Sequence, residues 1–268
     1  MLMLLVSRLM PRIAQAIRIP VLFLSLALAA PAGAQNDAAE AAQYRACLTK
    51  TETNADAAYD DALMWRDRGG GVPAQHCAAV ALVALGKYAE AATRLAALAE
   101  TPGARAMAPA LLAQAGNAWL LGDFPSNAIS VLNAALSAGS AELKPAEEAD
   151  MRIDRARALA ALQRWPAAEA DLNRALSLDP ERAAGYLFRA TARRMQDKLP
   201  LALEDLQLAL ALEPKDPAAL LERGIVYRLT EKPDLARADW LAAIAAAPES
   251  RAAEAARSNL EKLDLKAK

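Results

Sequence analysis

Prolines at 180, 214 and 248 recur every 34 residues in a chain otherwise dominated by helix formers. Proline lacks an amide donor and its ring clashes with the preceding turn, so each of these residues stops a helix. Stops at a fixed interval imply a repeated unit, and periods of this size are characteristic of stacked supersecondary modules. Blocks begun at Ala149, Ala183 and Pro217 align without a gap. Their eighth residue is Ala156, Ala190 or Gly224, their twentieth Ala168, Ala202 or Ala236, and their twenty-seventh Ala175, Ala209 or Ala243. A second series, Pro125, Pro166, Pro200 and Pro233, falls mid-unit, where proline suits the first turn of a helix. Breakers at both ends leave a second helix of about 12–14 residues, so each unit reads as a helical hairpin.

Aromatic residues make up only 4% of the chain and there are 11 glycines, while alanine and leucine are abundant. Alanine loses no side-chain entropy on entering a helix and lets helix axes approach closely. A sheet protein would need more β-branched and aromatic residues, so the fold class is all-α. A single hairpin cannot bury its apolar stripe alone, and the hairpins must therefore stack.

The small residues at positions eight, twenty and twenty-seven, with the proline at thirty-two, resemble the tetratricopeptide repeat (TPR) family. The resemblance implies a right-handed superhelical solenoid in which those small residues mark where two antiparallel helices touch. It covers about residues 72–250. Regular units span 149–182, 183–216 and 217–250. Two looser units span 72–105, with Ala79, Tyr88, Ala91 and Leu98, and 109–142, with Gly116, Trp119, Ala128 and Ala135. Insertions of three and six residues around these looser units read as loops, and the pair Glu147 and Glu148 falls in the second. Residues 35–71 form an N-terminal helical pair or a degenerate sixth unit, with helical patterns over Ala38–Thr51 and Ala57–Asp67 separated by "TETNAD". Residues 251–268 supply the C-terminal capping helix and tail, with Ala253, Ala256, Leu260 and Leu263 on one face. Trp65, Trp119, Trp165 and Trp240 read as core fillers.

Residues 1–34 follow a different logic. Arg8, Arg12 and Arg18 precede the apolar run "IPVLFLSLALAA" and the small residues Ala32 and Ala34. This is the layout of a signal peptide cut after Ala34. The apolar run is shorter than the roughly 20 residues of a spanning helix, which favours cleavage over a retained membrane anchor. The mature chain is then expected in the periplasm, without membrane insertion. It would carry 28 Lys+Arg against 32 Asp+Glu, and so balanced a charge calls for no nucleic-acid partner.

The chain has two cysteines, Cys47 and Cys77, and export makes a disulfide between them the expected state, with a buried free thiol pair as the alternative. His76 and two cysteines are too few ligands for zinc, and adjacent residues on a helix point about 100° apart, which separates His76 from Cys77. Metal ligands and cofactors are not expected.

Each regular unit also carries arginine at position seven and aspartate at position twenty-three: Arg155 and Asp171, Arg189 and Asp205, Arg223 and Asp239. Antiparallel helices joined by a short turn bring such residues into reach of a bidentate bridge. Solvated charges are the plainer alternative. The resemblance further implies a concave face lined by the first helix of each unit. Its ligand-contact positions would be Asn117, Leu121, Ile153, Arg157, Leu187, Arg194, Met195, Ile225 and Arg228, which suit an extended or helical peptide with acidic groups. The apolar members would otherwise pack between units. No phosphate loop, Gly-x-Ser-x-Gly elbow or His-Glu-x-x-His helix occurs, and a single histidine leaves little acid–base chemistry near neutral pH. The expected function is that of a scaffold binding a protein or peptide, without catalysis; a structural subunit of an envelope complex is the alternative.

Overall fold

The computed structural model describes residues 32–138 and 143–266. The leader expected over 1–34 lies, up to residue 31, outside the described residues. The described residues from Glu40 onward make one compact unit. The described residues fold into helices joined by tight turns. In order they are α1 (Ala32–Thr53), α2 (Ala55–Asp67), α3 (Gly71–Ala84), α4 (Tyr88–Ala99), α5 (Ala108–Leu121), α6 (Pro125–Ala138) and α7 (Pro145–Ala161). They continue with α8 (Trp165–Leu178), α9 (Ala183–Arg194), α10 (Leu199–Leu212), α11 (Pro217–Leu229), α12 (Pro233–Ala246) and α13 (Arg251–Lys266).

Both proline series act locally. Pro125, Pro166, Pro200 and Pro233 occupy the first or second position of α6, α8, α10 and α12. The second helices α8, α10 and α12 end two residues before Pro180, Pro214 and Pro248. The residues between, Asp179, Glu213 and Ala247, leave the helical region with ψ of 95°, 82° and 81°. Proline drives the residue before it out of the α region, so the helix must finish there.

The turn inside each hairpin has its own repeated device. Gly86, Asp123, Gln163, Asp197 and Glu231 have φ of 72°, 63°, 58°, 60° and 58°. Each sits at position fifteen of its unit. The next amide in every case donates back five residues, as from Arg164 to Leu159 (2.9 Å), Lys198 to Arg193 (2.9 Å) and Lys232 to Tyr227 (2.8 Å). A left-handed residue followed by this long-range bond is a Schellman cap, which satisfies the orphan carbonyls of the first helix and reverses the chain.

The core runs the length of the stack. Position eight of each hairpin faces position twenty-four: Ala79 and Leu95, Gly116 and Leu132, Ala156 and Leu172, Ala190 and Leu206, Gly224 and Trp240. All ten are buried. The small partner lets the two axes approach, and the large one fills the gap. Trp65 is also buried, whereas Trp119 and Trp165 are half-buried. First helices touch first helices along the row α5, α7, α9, α11, and α13 continues the row against α11. Ala253 and Ala256 of α13 are fully buried, and Leu260 and Leu263 cover the last hairpin. The first helices thus form the inner layer and the second helices the outer one.

Three loop expectations are corrected. The three-residue insertion is helical, since Ala106 and Met107 end a 3-10 helix over Pro102–Met107 and Ala108 opens α5. The six-residue insertion does not remain loop throughout, because Pro145 starts α7 early and lengthens it to 17 residues. Glu147 and Glu148 lie in its first turn, where carboxylates favour a helix start. The Glu147 side chain accepts from the Lys144 amide at 3.2 Å, and Glu148 accepts from Arg152 Nε at 2.7 Å. At the N-terminal end a single residue, Asn54, separates α1 from α2. Its Oδ1 caps α2 by accepting from the Ala57 amide at 3.1 Å, so most of "TETNAD" is helical.

Candidate functional site

The inner face is assembled by contacts between units. Asn117 of α5 donates to Asp154 Oδ2 of α7 at 3.5 Å. Arg157 of α7 donates to Asp154 Oδ1 at 2.8 Å and lays its guanidinium 5.6 Å from the centre of the Phe188 ring on α9. Arg194 of α9 bonds both oxygens of Glu222 on α11, at 2.5 and 3.4 Å. Asp154, Phe188 and Glu222 all stand at position six of their units. Each receives a residue from the inner face of the unit before it or from its own helix. That position was not singled out from sequence, although its 34-residue spacing is written there.

These bonds change what the face offers. Arg157 and Arg194 are held by carboxylates, so they present no free charge to an acidic ligand; Arg228 is exposed. Ile153 is not a groove contact: it is 7% exposed and belongs to the core between α7 and α8. Leu187 and Ile225 are half-buried and pack against the core of the last two units. Leu121 and Met195 remain open at 49% and 46% exposure, joined by Leu229 at the same position thirteen, at 44%.

Two cavities open along this row of helices. One, of 720 Å³, lies at the C-terminal end between Arg228, Glu231 and Pro233 and the α13 residues Asn259, Lys262 and Leu263. The other, of 430 Å³, lies between α5 and α7.

Behind the face, the position-seven arginines form a ladder. Arg155 Nε and Nη2 donate to Asp171 at 2.7 and 2.5 Å. Arg189 bonds Asp205 at 3.0 and 2.7 Å, and Arg223 bonds Asp239 at 2.7 and 2.8 Å. The first two rungs also reach the preceding hairpin, from Arg155 Nη1 to Asn133 (2.8 Å) and from Arg189 Nη1 to Asn173 (2.9 Å). The aspartates are buried, with side-chain exposures of 7%, 2% and 9%. Glu169 links units similarly: burial pushes its carboxyl up, but bonds from Lys198, Arg193 and Gln196 outweigh that and hold it down to about 2.

The N-terminal helices carry a second clamp. Cys47 Sγ and Cys77 Sγ lie 1.93 Å apart in a disulfide joining α1 to α3. Next to it, Tyr44 OH stands 2.7 Å from His76 Nδ1, and His76 Nε2 stands 2.7 Å from Gln114 Oε1. An amide oxygen only accepts, so Nε2–H donates to it and Nδ1 accepts from the tyrosine. Burial lowers the His76 pKa, outweighing the opposing effect of the Gln114 bond. The ring is thus a neutral bridge across α1, α3 and α5.

No family model matches the sequence, and no curated protein is close enough in sequence to match it. Solved structures are similar in fold. MamA aligns with a TM-score of 0.53 at 16% identity, covering 63% of this chain and 93% of its own. YrrB, a TPR protein with an unusual peptide-binding site, aligns with a TM-score of 0.52 at 18% identity, covering 75% and 97%. TTC0263, a thermophilic TPR protein in Thermus thermophilus, aligns with a TM-score of 0.55 at 20% identity, covering 70% and 95%. The chain therefore has the fold of tetratricopeptide-repeat proteins, an all-α solenoid of helical hairpins.

Proposed function

We propose that the protein is an exported, non-catalytic scaffold that binds a protein or peptide through the inner face of its solenoid. The observation that carries this reading is the row of open apolar side chains, Leu121, Met195 and Leu229, repeated at one position of the first helices. A layer of helices that leaves large apolar side chains in water at a regular spacing is suited to an amphipathic or extended partner. The peptide-binding site of YrrB, on the same fold, is consistent with it. Export is supported by the leader pattern of residues 1–34 and by the Cys47–Cys77 bridge, which suits an oxidising compartment such as the periplasm. No described helix is long and apolar enough to cross a membrane. The lack of catalysis is supported by the lone histidine, whose two ring nitrogens both bond inside the fold.

A photo-crosslinking residue placed at Leu121 or Met195 in the native cell is expected to trap a partner, whereas one at the exposed Gln207 on the outer layer is not. Equal capture from both faces would refute inner-face binding. A second reading, a subunit buried in a stable envelope assembly, draws on one observation. Leu201, Leu208 and Leu212 of α10 and Leu235 and Leu241 of α12 are 40–53% exposed on the outer layer. An obligate oligomer that dissociates on Leu208→Glu would favour that reading.

A further inference from the structure

We infer that the two insertions that interrupt the 34-residue period build a recognition pocket on the inner face, and that its occupant is a partner segment bearing an apolar side chain flanked by lysine or arginine. This rests on the scaffold reading and sharpens it.

The placement comes first. Ala106 and Met107 belong to the first insertion, Leu143 and Glu147 to the second, and the four meet around the 430 Å³ cavity between α5 and α7. Neither insertion is needed to complete a hairpin, since the regular units close without them. In solenoids such additions gather on one face, often the binding face. The cavity falls within the roughly 300–1,000 Å³ of ordinary ligand pockets.

Its chemistry has two parts. Ala110 and Ala113 of α5 and Met151 of α7 give an apolar floor, and Met107 stands at the rim with 44% exposure. Glu147, Asp150 and Asp154 follow at three- and four-residue steps on α7, which puts all three carboxylates on one side of the helix, and all three line the cavity. The residues lining it include no lysine or arginine. The cations that pair with these acids, Lys144, Arg182 and Arg157, stand outside the lining. Burial raises the Asp150 carboxyl, and the neighbouring carboxylates of Asp154 and Asp179 add to that against the attraction of Arg182. The Glu147 and Asp150 side chains remain 49% and 57% exposed beside their partners, so an entering ammonium or guanidinium group meets carboxylate oxygens that can accept a further bond, whereas an entering carboxylate faces like charge with the paired cations outside the lining. With Arg157 and Arg194 already bonded to carboxylates, this stretch of the inner face selects against the acidic peptide anticipated from sequence.

The test uses the full chain and three fluorescein-labelled peptides of equal length. All share a Leu-Met centre, flanked by lysine, glutamate or serine. In an anisotropy titration the lysine peptide is expected to bind at least about tenfold tighter than the other two. That advantage should fall below about threefold in Asp150→Asn/Asp154→Asn, whose far-ultraviolet spectrum checks folding. Ala113→Leu, which fills the floor without changing charge, should weaken the lysine peptide by about tenfold. Equal or tighter binding of the glutamate peptide overturns the assignment of a basic partner. Binding of the lysine peptide that ignores both variants overturns the pocket, and so does failure of all three peptides to bind. In each case the crosslinks at Leu121 and Met195 report on the broader inner-face reading independently.

Discussion

The tight contact between Gly224 and Trp240 in the core makes a quantitative prediction. A Cβ built on Gly224 would lie 2.4 Å from Trp240 Nε1, 2.6 Å from Cδ1 and 3.0 Å from Cε2. Carbon atoms in contact prefer about 3.5–4.0 Å, so the overlap is about 1 Å. Trp240 has no exposed surface, and its Nε1–H donates to the Leu221 carbonyl at 3.2 Å, which leaves the ring nowhere to swing. Overpacking of this kind costs about 1–3 kcal/mol, and weakening the indole bond adds about 1 kcal/mol. The better helix propensity of alanine returns about 1 kcal/mol. Gly224→Ala should therefore destabilise by about 2 kcal/mol, or lower the melting temperature by roughly 5 °C in a chain of this size. Trp240→Leu alone should cost about 2 kcal/mol by leaving a cavity. The double variant recreates the alanine–leucine pairs Ala156 with Leu172 and Ala190 with Leu206, which neighbouring hairpins already use. It should be more stable than the sum of the single changes by about 2 kcal/mol. Urea and thermal unfolding followed by circular dichroism would measure all four corners of the cycle. A neutral Gly224→Ala, or single effects that simply add, would refute the claim that this pair sets the helix separation.

Gln163→Gly and Glu231→Gly should each stabilise by about 0.5–1 kcal/mol, because glycine takes the left-handed turn without the Cβ clash; loss of stability in thermal melts would count against the Schellman account. Asp205→Ala should destabilise by about 3 kcal/mol, since it removes the carboxylate bonded to Arg189 and one of the two bonded to Arg193, and Arg189→Met should recover part of that loss in urea titrations of the double variant. His76 has a folded pKa below its unfolded value, so its contribution is fully present above about pH 6.5 and is lost as pH falls through the folded value. The fall in melting temperature on acidification from about pH 7.5 to about pH 5 should be larger in the native protein than in His76→Gln. Reducing the Cys47–Cys77 bond should cost about 3–4 kcal/mol and expose α1 to hydrogen exchange before the regular hairpins; uniform exchange along the chain would contradict a terminal clamp.

The architecture was legible because its causes are local and repeated. Proline stops a helix and bends the residue before it whatever the surroundings, so Pro180, Pro214 and Pro248 mark hairpin ends directly. Small residues at positions eight, twenty and twenty-seven record the closeness of two helices within one unit. The position-fifteen turn residues hid from that logic. Gly86, Asp123, Gln163, Asp197 and Glu231 share a backbone conformation but no side-chain chemistry, and only their spacing connects them.

What the amino-acid order determined on its own was therefore the unit: its length, its two helices, and the side chains those helices turn toward each other. The tertiary structure alone decided which groups the inner face leaves free. Arg194 lies 28 residues from Glu222 along the chain, yet the stacking register of α9 on α11 brings their side chains to 2.5 Å. Stacking between other units likewise packs Ile153 of α7 against Gly185 of α9 and gathers Met107, Leu143 and three carboxylates around one cavity. Contacts within a hairpin follow from a fixed spacing, whereas contacts between hairpins depend on how far each irregular insertion shifts one unit against the next.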